Sequence, residues 1–170
     1  DILDSMEPFI LGGGTVSDAD MFSYRLRNDI ARFSGGTQDI PGMIGLGASA
    51  MYIEETGFDK IREHEKNLTK IFLEGLKAME EVEIYGPDNS CERSGIVSFN
   101  IHGWLSHDVA LGMDEKYKIL VRAGHHCCIP MMKSLGVIEE YGGTIRASFH
   151  YYNIEEDVDR ILEAVKKFAE

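Results

Sequence analysis

Apolar residues recur at helical spacing in two long segments of the chain, one after residue 58 and one at the C-terminal end. Each segment predicts an amphipathic helix that buries one stripe of side chains and exposes the others. The apolar positions are Ile61, Leu68, Ile71, Phe72, Leu76 and Met79 in the first helix, and Val158, Ile161, Leu162, Val165 and Phe168 in the second.

Four short segments between these helices have the character of strands, most clearly residues 144–150, where apolar and polar side chains alternate. The other three are residues 82–85, 96–101 and 119–122. From residue 58 the predicted order is α-β-β-α-β-α-β-α. This order indicates an α/β protein, an α+β domain in which helices pack on a small, mostly antiparallel sheet.

Residues that favour helix ends mark the remaining helices. Ser106 is a candidate N-cap, and Pro130 is a candidate first-turn residue of a short helix that ends near Gly136. Asn153, with Glu156 three residues later, resembles the capping box of the last helix.

The first 50 residues differ from the others because they are rich in glycine and contain no clean alternating strand. Glycine at this density lets the backbone approach another backbone or a ligand closely. A glycine-rich helix is predicted from Pro41 to Gly57. Because such a helix needs tertiary support, we expect residues 1–50 to pack on something outside this chain.

Composition and charge exclude several classes of protein. The chain has 170 residues, is 44% hydrophobic and carries a formal charge of −12. This is enough apolar material for a core, so a disordered tail is excluded. No basic patch favours nucleic acid or an anionic membrane as a partner. No run of about 18 to 20 apolar residues predicts a membrane helix.

The cysteines indicate the redox environment of the protein, and the first residue indicates that the sequence is part of a longer one. Three cysteines, Cys91, Cys127 and Cys128, without a secretory signal favour reduced thiols in a cytoplasmic protein. The sequence begins at Asp1 and not at Met, so we expect it to be a piece of a longer protein.

The segment Arg122–Pro130, with the sequence RAGHHCCIP, is the clearest candidate for chemistry. It lies between a predicted strand and a predicted helix, so it is a loop held by rigid neighbours. Cys127 follows two histidines and lies near an arginine and a helix N-terminus, all of which favour the thiolate. Because the thiolate is the nucleophilic form, the loop is a candidate for covalent catalysis.

Two other interpretations of this loop stay open. Histidine and cysteine bind Zn²⁺, but four consecutive residues cannot close a tetrahedron around one ion and no second motif completes the set. No metal site is therefore predicted. Alternatively, Cys127 and Cys128 are small hydrophobic residues of a core without a chemical role.

The loop resembles the R-x-G-H-H-C-x-x-P signature of group II cysteine desulfurases and selenocysteine lyases, the SufS-like branch of the class V aminotransferases. Other segments resemble family blocks in the same order, from about Pro8 to the C-terminus. They are residues 32–37 (RFSGGT), 42–48 (GMIGLGA), 85–87 (YGP), 95–100 (GIVSFN), 107–109 (HDV) and 146–153 (RASFHYYN).

This resemblance implies the C-terminal part of a fold-type I enzyme that uses pyridoxal 5′-phosphate (PLP). Residues 1–50 would be a remnant of the large PLP-binding domain and its dimer- and cofactor-facing segment. Residues 51–170 would be the small domain that carries the cysteine loop.

The resemblance also implies a reaction. L-Cysteine would be the substrate, and Cys127 would attack its sulfur, leaving L-alanine and a persulfide on Cys127. Arg146 would grip the substrate carboxylate, a task that suits a planar cation with two donor edges. The sulfur would then pass to an acceptor protein for Fe–S cluster assembly or for other sulfur compounds.

Four further residues receive roles from the same resemblance. Thr37, in a loop with Gly36, would bind the phosphate of the PLP held by the other subunit of a homodimer. His125 and His126 are candidate proton carriers or thiolate partners, and the sequence does not choose between them.

Two departures from the family pattern affect this assignment. Cys128 stands where the family usually has alanine, so it is either a second sulfur acceptor or an inert small residue. The family's Schiff-base lysine, in an S-x-H-K block, has no counterpart among these 170 residues. We therefore expect this polypeptide alone to be inactive.

Other functions compatible with the pattern are a selenocysteine lyase and a non-catalytic module that binds a sulfur acceptor or a partner protein. A transaminase or a kynureninase-like hydrolase of the same family is a weaker alternative, because neither needs a cysteine after two histidines.

Overall fold

The structure is a computed structural model that describes residues 2–170 and divides into two compact units between Glu55 and Thr56. The expected domain boundary lies slightly earlier, after residue 50. Among residues 2–170, no helix is both long enough and apolar enough to cross a bilayer.

The first unit begins with loops and a hairpin. β1 (Val16–Ala19) pairs antiparallel with β2 (Tyr24–Leu26). In the turn between them the Asp20 carboxylate accepts the N–H groups of Phe22 and Ser23 at 2.7 and 2.8 Å. The sequence of this segment shows no clean alternating strand, and the hairpin was therefore not predicted. The strands are short and a register shift interrupts the pairing, so no alternation is visible in the sequence.

The helix of this unit, α1 (Ile40–Thr56), confirms the prediction of a helix from Pro41 to Gly57, yet none of its residues is buried. Among residues 2–55, Thr15 is the one buried side chain, while Phe9 and Phe22 are almost fully exposed. The unit therefore has no apolar core of its own.

The second unit contains four strands and five helices. The strands are β3 (Val82–Tyr85), β4 (Ile96–Ile101), β5 (Arg122–Gly124) and β6 (Thr144–Ser148), and the helices are α2 (Phe58–Lys77), α3 (Ser106–Gly112), α4 (Ile129–Ser134), α5 (Val137–Tyr141) and α6 (Glu155–Ala169). The strands form one antiparallel sheet in the order β3-β4-β6-β5. The predicted α+β architecture with an antiparallel sheet is confirmed.

The core lies between one face of this sheet and the apolar stripes of α2 and α6. Phe72 of α2 meets Phe99 of β4 and Phe149 edge to face, with ring centroids 5.7 and 5.1 Å apart. The stripes predicted for both helices supply most of the buried helical positions, which are Leu68, Phe72, Leu73, Leu76, Val158, Ile161, Ala164 and Val165.

Two predicted boundaries were wrong, and one helix was not predicted. The third strand covers Arg122–Gly124 and not residues 119–122. Ser106 is the first residue of its helix, whose N-cap is Leu105 and has no side-chain cap. An additional short helix, α5, follows α4 after Gly136, which has a left-handed conformation.

The cap of the last helix also differs from the prediction. The carboxylate of Asp157, and not that of Glu156, accepts the N–H of Ile154 and the side-chain amide of Asn153, both at 3.2 Å. Asn153 instead accepts the N–H of His150 at 2.9 Å.

Candidate active site

The chain makes a tight turn directly after β5. The N–H of Cys128 donates to the carbonyl of His125 at 2.7 Å, and the two central residues, His126 and Cys127, have φ angles of +51° and +60°. Positive φ at both central positions is the pattern of a type I′ turn. For residues with a Cβ atom this conformation costs about 1 to 2 kcal/mol each. The turn therefore presents two strained side chains, as functional sites often do.

Cys127 is exposed at this turn and contacts an arginine. The Nη2 atom of Arg122 donates to its Sγ atom at 3.2 Å, which places a permanent positive charge beside the sulfur. Cys128 is exposed as well. The interpretation of both cysteines as buried hydrophobic residues is therefore wrong.

A second arginine lies on the neighbouring strand. Arg146 of β6 is the register partner of Arg122, so the two side chains leave the same face of the sheet. Arg146 is half-buried, and its Nε atom is buried without a hydrogen-bond partner among the described residues. Like charges directly opposite one another are destabilising. An anion between them would remove that repulsion and accept the unmet donor.

The two histidines of the turn have different environments. His125 is exposed, whereas the ring of His126 is half-buried and its Nε2 atom lies 2.8 Å from the hydroxyl oxygen of Thr144. Burial, followed by the positive charges of Arg146 and Arg122, lowers the pKa of His126 below its ordinary value. His126 is therefore a neutral, fixed ring at pH 7.

The loop of the first unit that contains Thr37 rests on a second glycine-rich segment. The N–H of Gly36 donates to the carbonyl of Gly13 at 2.8 Å, and Gly36 has a φ of +89°. The N–H of Gly36 already has an acceptor within the unit, so it is not free to bind an anion. Gly36 would therefore contribute to an anion site only through the conformation of the loop. Thr37, the next residue, is exposed.

The structure brings Arg122, His126, Cys127 and Arg146 together beside the paired strands β5 and β6, while Thr37 and Gly36 belong to the other unit. Sequence reasoning missed Thr144, because a threonine at the start of a strand carries no signal of its own. Within residues 2–170, no three His, Cys, Asp or Glu side chains are grouped to hold a metal ion.

The sequence of this chain matches that of a known protein family. The sequence model of the aminotransferase class-V family matches residues 1–161. The chain belongs to this family. The expected membership of the class V aminotransferases is confirmed over almost the whole chain.

Relatives within the class V aminotransferases are named cysteine desulfurases. A probable cysteine desulfurase of Pyrococcus abyssi is 43% identical over 99% of this chain, and one of Methanothermobacter thermautotrophicus is 41% identical over the same share. The matches cover 41% and 42% of those proteins. The chain thus spans about two fifths of the length of these curated relatives.

Solved structures of the family show the same fold. An apo structure of cysteine desulfurase from Thermococcus onnurineus NA1 superposes with a TM-score of 0.89 at 43% identity, over 98% of this chain and 40% of that one. The cysteine desulfurase CsdA from Escherichia coli, in an S-sulfonic acid form, gives a TM-score of 0.85 at 26% identity, over 98% and 39%. The expected relation to fold-type I PLP-dependent enzymes is therefore confirmed.

The family implies PLP, and part of what PLP needs is present in these residues. The exposed Thr37, held in its loop by Gly36, is suited to a phosphate oxygen. The buried, unmet Nε donor of Arg146 is suited to an anionic oxygen such as that of a carboxylate. A lysine in the family's S-x-H-K context is not among the lysines of this sequence. Taken separately, Thr37 in the first unit and Arg146 in the second therefore each fit one anionic group, and the lysine for covalent attachment of PLP is not among the residues of this sequence.

Proposed function

We propose that this chain is the cysteine-loop portion of a PLP-dependent cysteine desulfurase of the group II, SufS-like branch. The observation that carries the proposal is the exposed Cys127 thiol on a strained turn, with Arg122 at 3.2 Å and Arg146 opposite it on the next strand. The names of the relatives support the cysteine desulfurase part of this proposal, and the R-x-G-H-H-C-x-x-P motif supports the branch.

Arginines of β5 and β6 and residues of the turn have separate roles in this reaction. Arg146 binds the carboxylate of L-cysteine and orients it, because its planar guanidinium pairs with a carboxylate through two hydrogen bonds. Arg122 donates a hydrogen bond to the sulfur of Cys127, and its positive charge favours the thiolate that attacks. PLP, when bound, withdraws electrons from the amino acid attached to it.

Cys127 then takes the sulfur. Its thiolate forms a bond to the substrate sulfur, and the carbon–sulfur bond breaks with its electron pair left on the amino acid. A proton completes L-alanine, and the transferred sulfur stays on Cys127 as a persulfide. We propose that His125, which is exposed, exchanges this proton with solvent.

The remaining proposals concern the whole protein. The exposed apolar residues of the first unit would be covered by the rest of the large domain and by the second subunit of a homodimer, where Thr37 would bind the phosphate of PLP. The persulfide would supply an acceptor protein in the cytoplasm, for Fe–S clusters or other sulfur compounds. Because the covalent lysine is not among them, these 170 residues alone would be inactive.

The test is the substitution Cys127→Ala in the longer protein that contains this chain, with sulfide release from L-cysteine as the readout. We expect the rate to fall by about two orders of magnitude or more, because the attacking atom is lost. Mass spectrometry after substrate addition should show one added sulfur atom on the wild-type loop and none on the variant. The 170-residue chain supplied with PLP should release no more sulfide than PLP alone.

Cys128→Ala is the matched control, since both thiols are exposed on the same turn. We expect this variant to keep the wild-type rate and the persulfide. An equal loss in both variants would make Cys128 a second sulfur acceptor. A wild-type protein that releases no sulfide would instead favour a non-catalytic binding module.

A further inference from the structure

The buried Thr144 and the half-buried His126 form a polar pair at the cysteine turn. Thr144 is the first residue of β6, is fully buried, and lies opposite Gly124 in the β5–β6 register. From there its hydroxyl reaches the ring of His126 two residues further along the loop, at 2.8 Å from Nε2. This is the one hydrogen bond of the Thr144 side chain within residues 2–170.

Counting donors and acceptors decides the direction of this bond. The Nδ1 atom of His126 is buried and has no partner among the described residues. If His126 donated from Nε2, the hydroxyl proton of Thr144 would have no acceptor and Nδ1 would be an unmet acceptor. If Thr144 donates to Nε2, only the Nδ1–H group stays unmet. Each unmet buried group costs about 1 to 3 kcal/mol, so the second arrangement is favoured.

The surroundings of the ring disfavour the form in which both nitrogens are protonated, although a backbone hydrogen bond to Thr144 acts in the opposite direction. Arg146, Arg122 and His125 are the charged or titratable groups that act on His126, and each of them disfavours a second positive charge there. Burial acts in the same direction. The neutral ring with its proton on Nδ1 is therefore the form that agrees with both the hydrogen bonds and the charges.

We propose that Thr144 is a positioning residue that holds His126 as the neutral Nδ1–H tautomer, so that the Nε2 lone pair of His126 is occupied and the ring is not the proton acceptor of the cysteine loop. The inference rests on the proposed function only where it assigns proton exchange to His125. Of the two histidines, His125 then remains as the proton carrier.

The test uses the 170-residue chain labelled with ¹⁵N at histidine. Long-range ¹H–¹⁵N correlation spectra at pH 7 distinguish the two neutral tautomers by the chemical shift of each ring nitrogen. We expect an unprotonated Nε2 and a protonated Nδ1 for His126 in the wild-type chain. Thr144→Val has nearly the same shape without the hydroxyl, so it should lose this preference. Thr144→Ser keeps the hydroxyl and should restore it, whereas a purely structural role of Thr144 would not move the tautomer.

Two histidines outside the cysteine loop, His64 and His150, report on folding in the same spectra. His64 bonds the carbonyl of Asn153 and His150 bonds Glu65, so their signals should be unchanged in both variants. A wild-type His126 protonated at Nε2 overturns the proposal, and this result does not depend on whether Thr144→Val folds. A folded Thr144→Val variant that keeps the Nδ1–H form overturns it as well. Since no turnover is measured, failure here is separate from failure of the Cys127 assay.

Discussion

Gly143, the residue directly before β6, lies against the backbone of Gly124 at the end of β5. It has a φ of +123°, and a Cβ atom at this position would lie 2.3 Å from the carbonyl carbon and oxygen of Gly124. Its own carbonyl accepts the side-chain amide of the buried Asn100 at 3.0 Å. Because Gly124 is followed directly by the cysteine turn, the absence of a side chain at 143 sets the position of the whole loop.

Gly143→Ala should therefore destabilise the chain by about 3 kcal/mol or more, because the new methyl group meets backbone atoms that cannot rotate away. Gly142→Ala is the matched control. This neighbour also has a positive φ, +70°, but nothing lies within 4 Å of the added atom, so only the backbone conformation is penalised, by about 1 kcal/mol. Denaturant unfolding of both variants measures the difference, and equal losses would contradict the close approach.

At the scale of elements, the sequence predicted those whose pattern is set locally. β3 and β4 have the predicted bounds and β6 the predicted start, because their inward and outward residues follow the sheet. The predicted bounds of β5 were wrong because they are set by pairing with β6, where Gly124 lies opposite Thr144. This pairing leaves no local signal in the sequence. The contact between Arg122 and Cys127 required the turn that the strained φ angles produce, so sequence reasoning found the residues but not the geometry.

The start of α6 gives a prediction at this scale. The side-chain amide of Asn153 and the N–H of Ile154 lower the pKa of the Asp157 carboxyl. A carboxyl with a lowered pKa in the folded state adds stability above its unfolded pKa, near 3.9, and loses it as the pH falls through the folded value. Asp157→Asn should thus cost about 1 kcal/mol at pH 7, as other helix caps do, and much less near pH 2.

Glu156→Gln is the control for this prediction, because Glu156 is exposed and makes no such contact within the described chain. Its free energy of unfolding should stay within about 0.5 kcal/mol of the wild-type value. Thermal unfolding followed by circular dichroism across the pH range compares the two variants. A pH-independent loss in Asp157→Asn would show that the carboxylate charge plays no part.

At the scale of the whole molecule, the apolar core belongs to one unit. Its buried members run from Leu68 to Val165, and every one of them lies in the second unit. The first unit buries only Thr15 among residues 2–55, and its loops are held by local hydrogen bonds such as that between Gly36 and Gly13. Hydrophobic burial is the main favourable contribution to folding, so stability should be unequally distributed along the chain.

The corresponding prediction concerns the two units produced separately. Residues 56–170 alone should unfold cooperatively, with a midpoint within about 4 °C of the 170-residue chain, which corresponds to a change of about 1 kcal/mol or less for a domain of this size. Residues 1–55 alone should show no cooperative transition, because an isolated hairpin and an unsupported glycine-rich helix are marginal in water. Calorimetry of the three polypeptides makes the comparison. A large loss of stability in residues 56–170 would mean that the first unit supports the core, and the cysteine turn would then depend on contacts that the second unit does not contain.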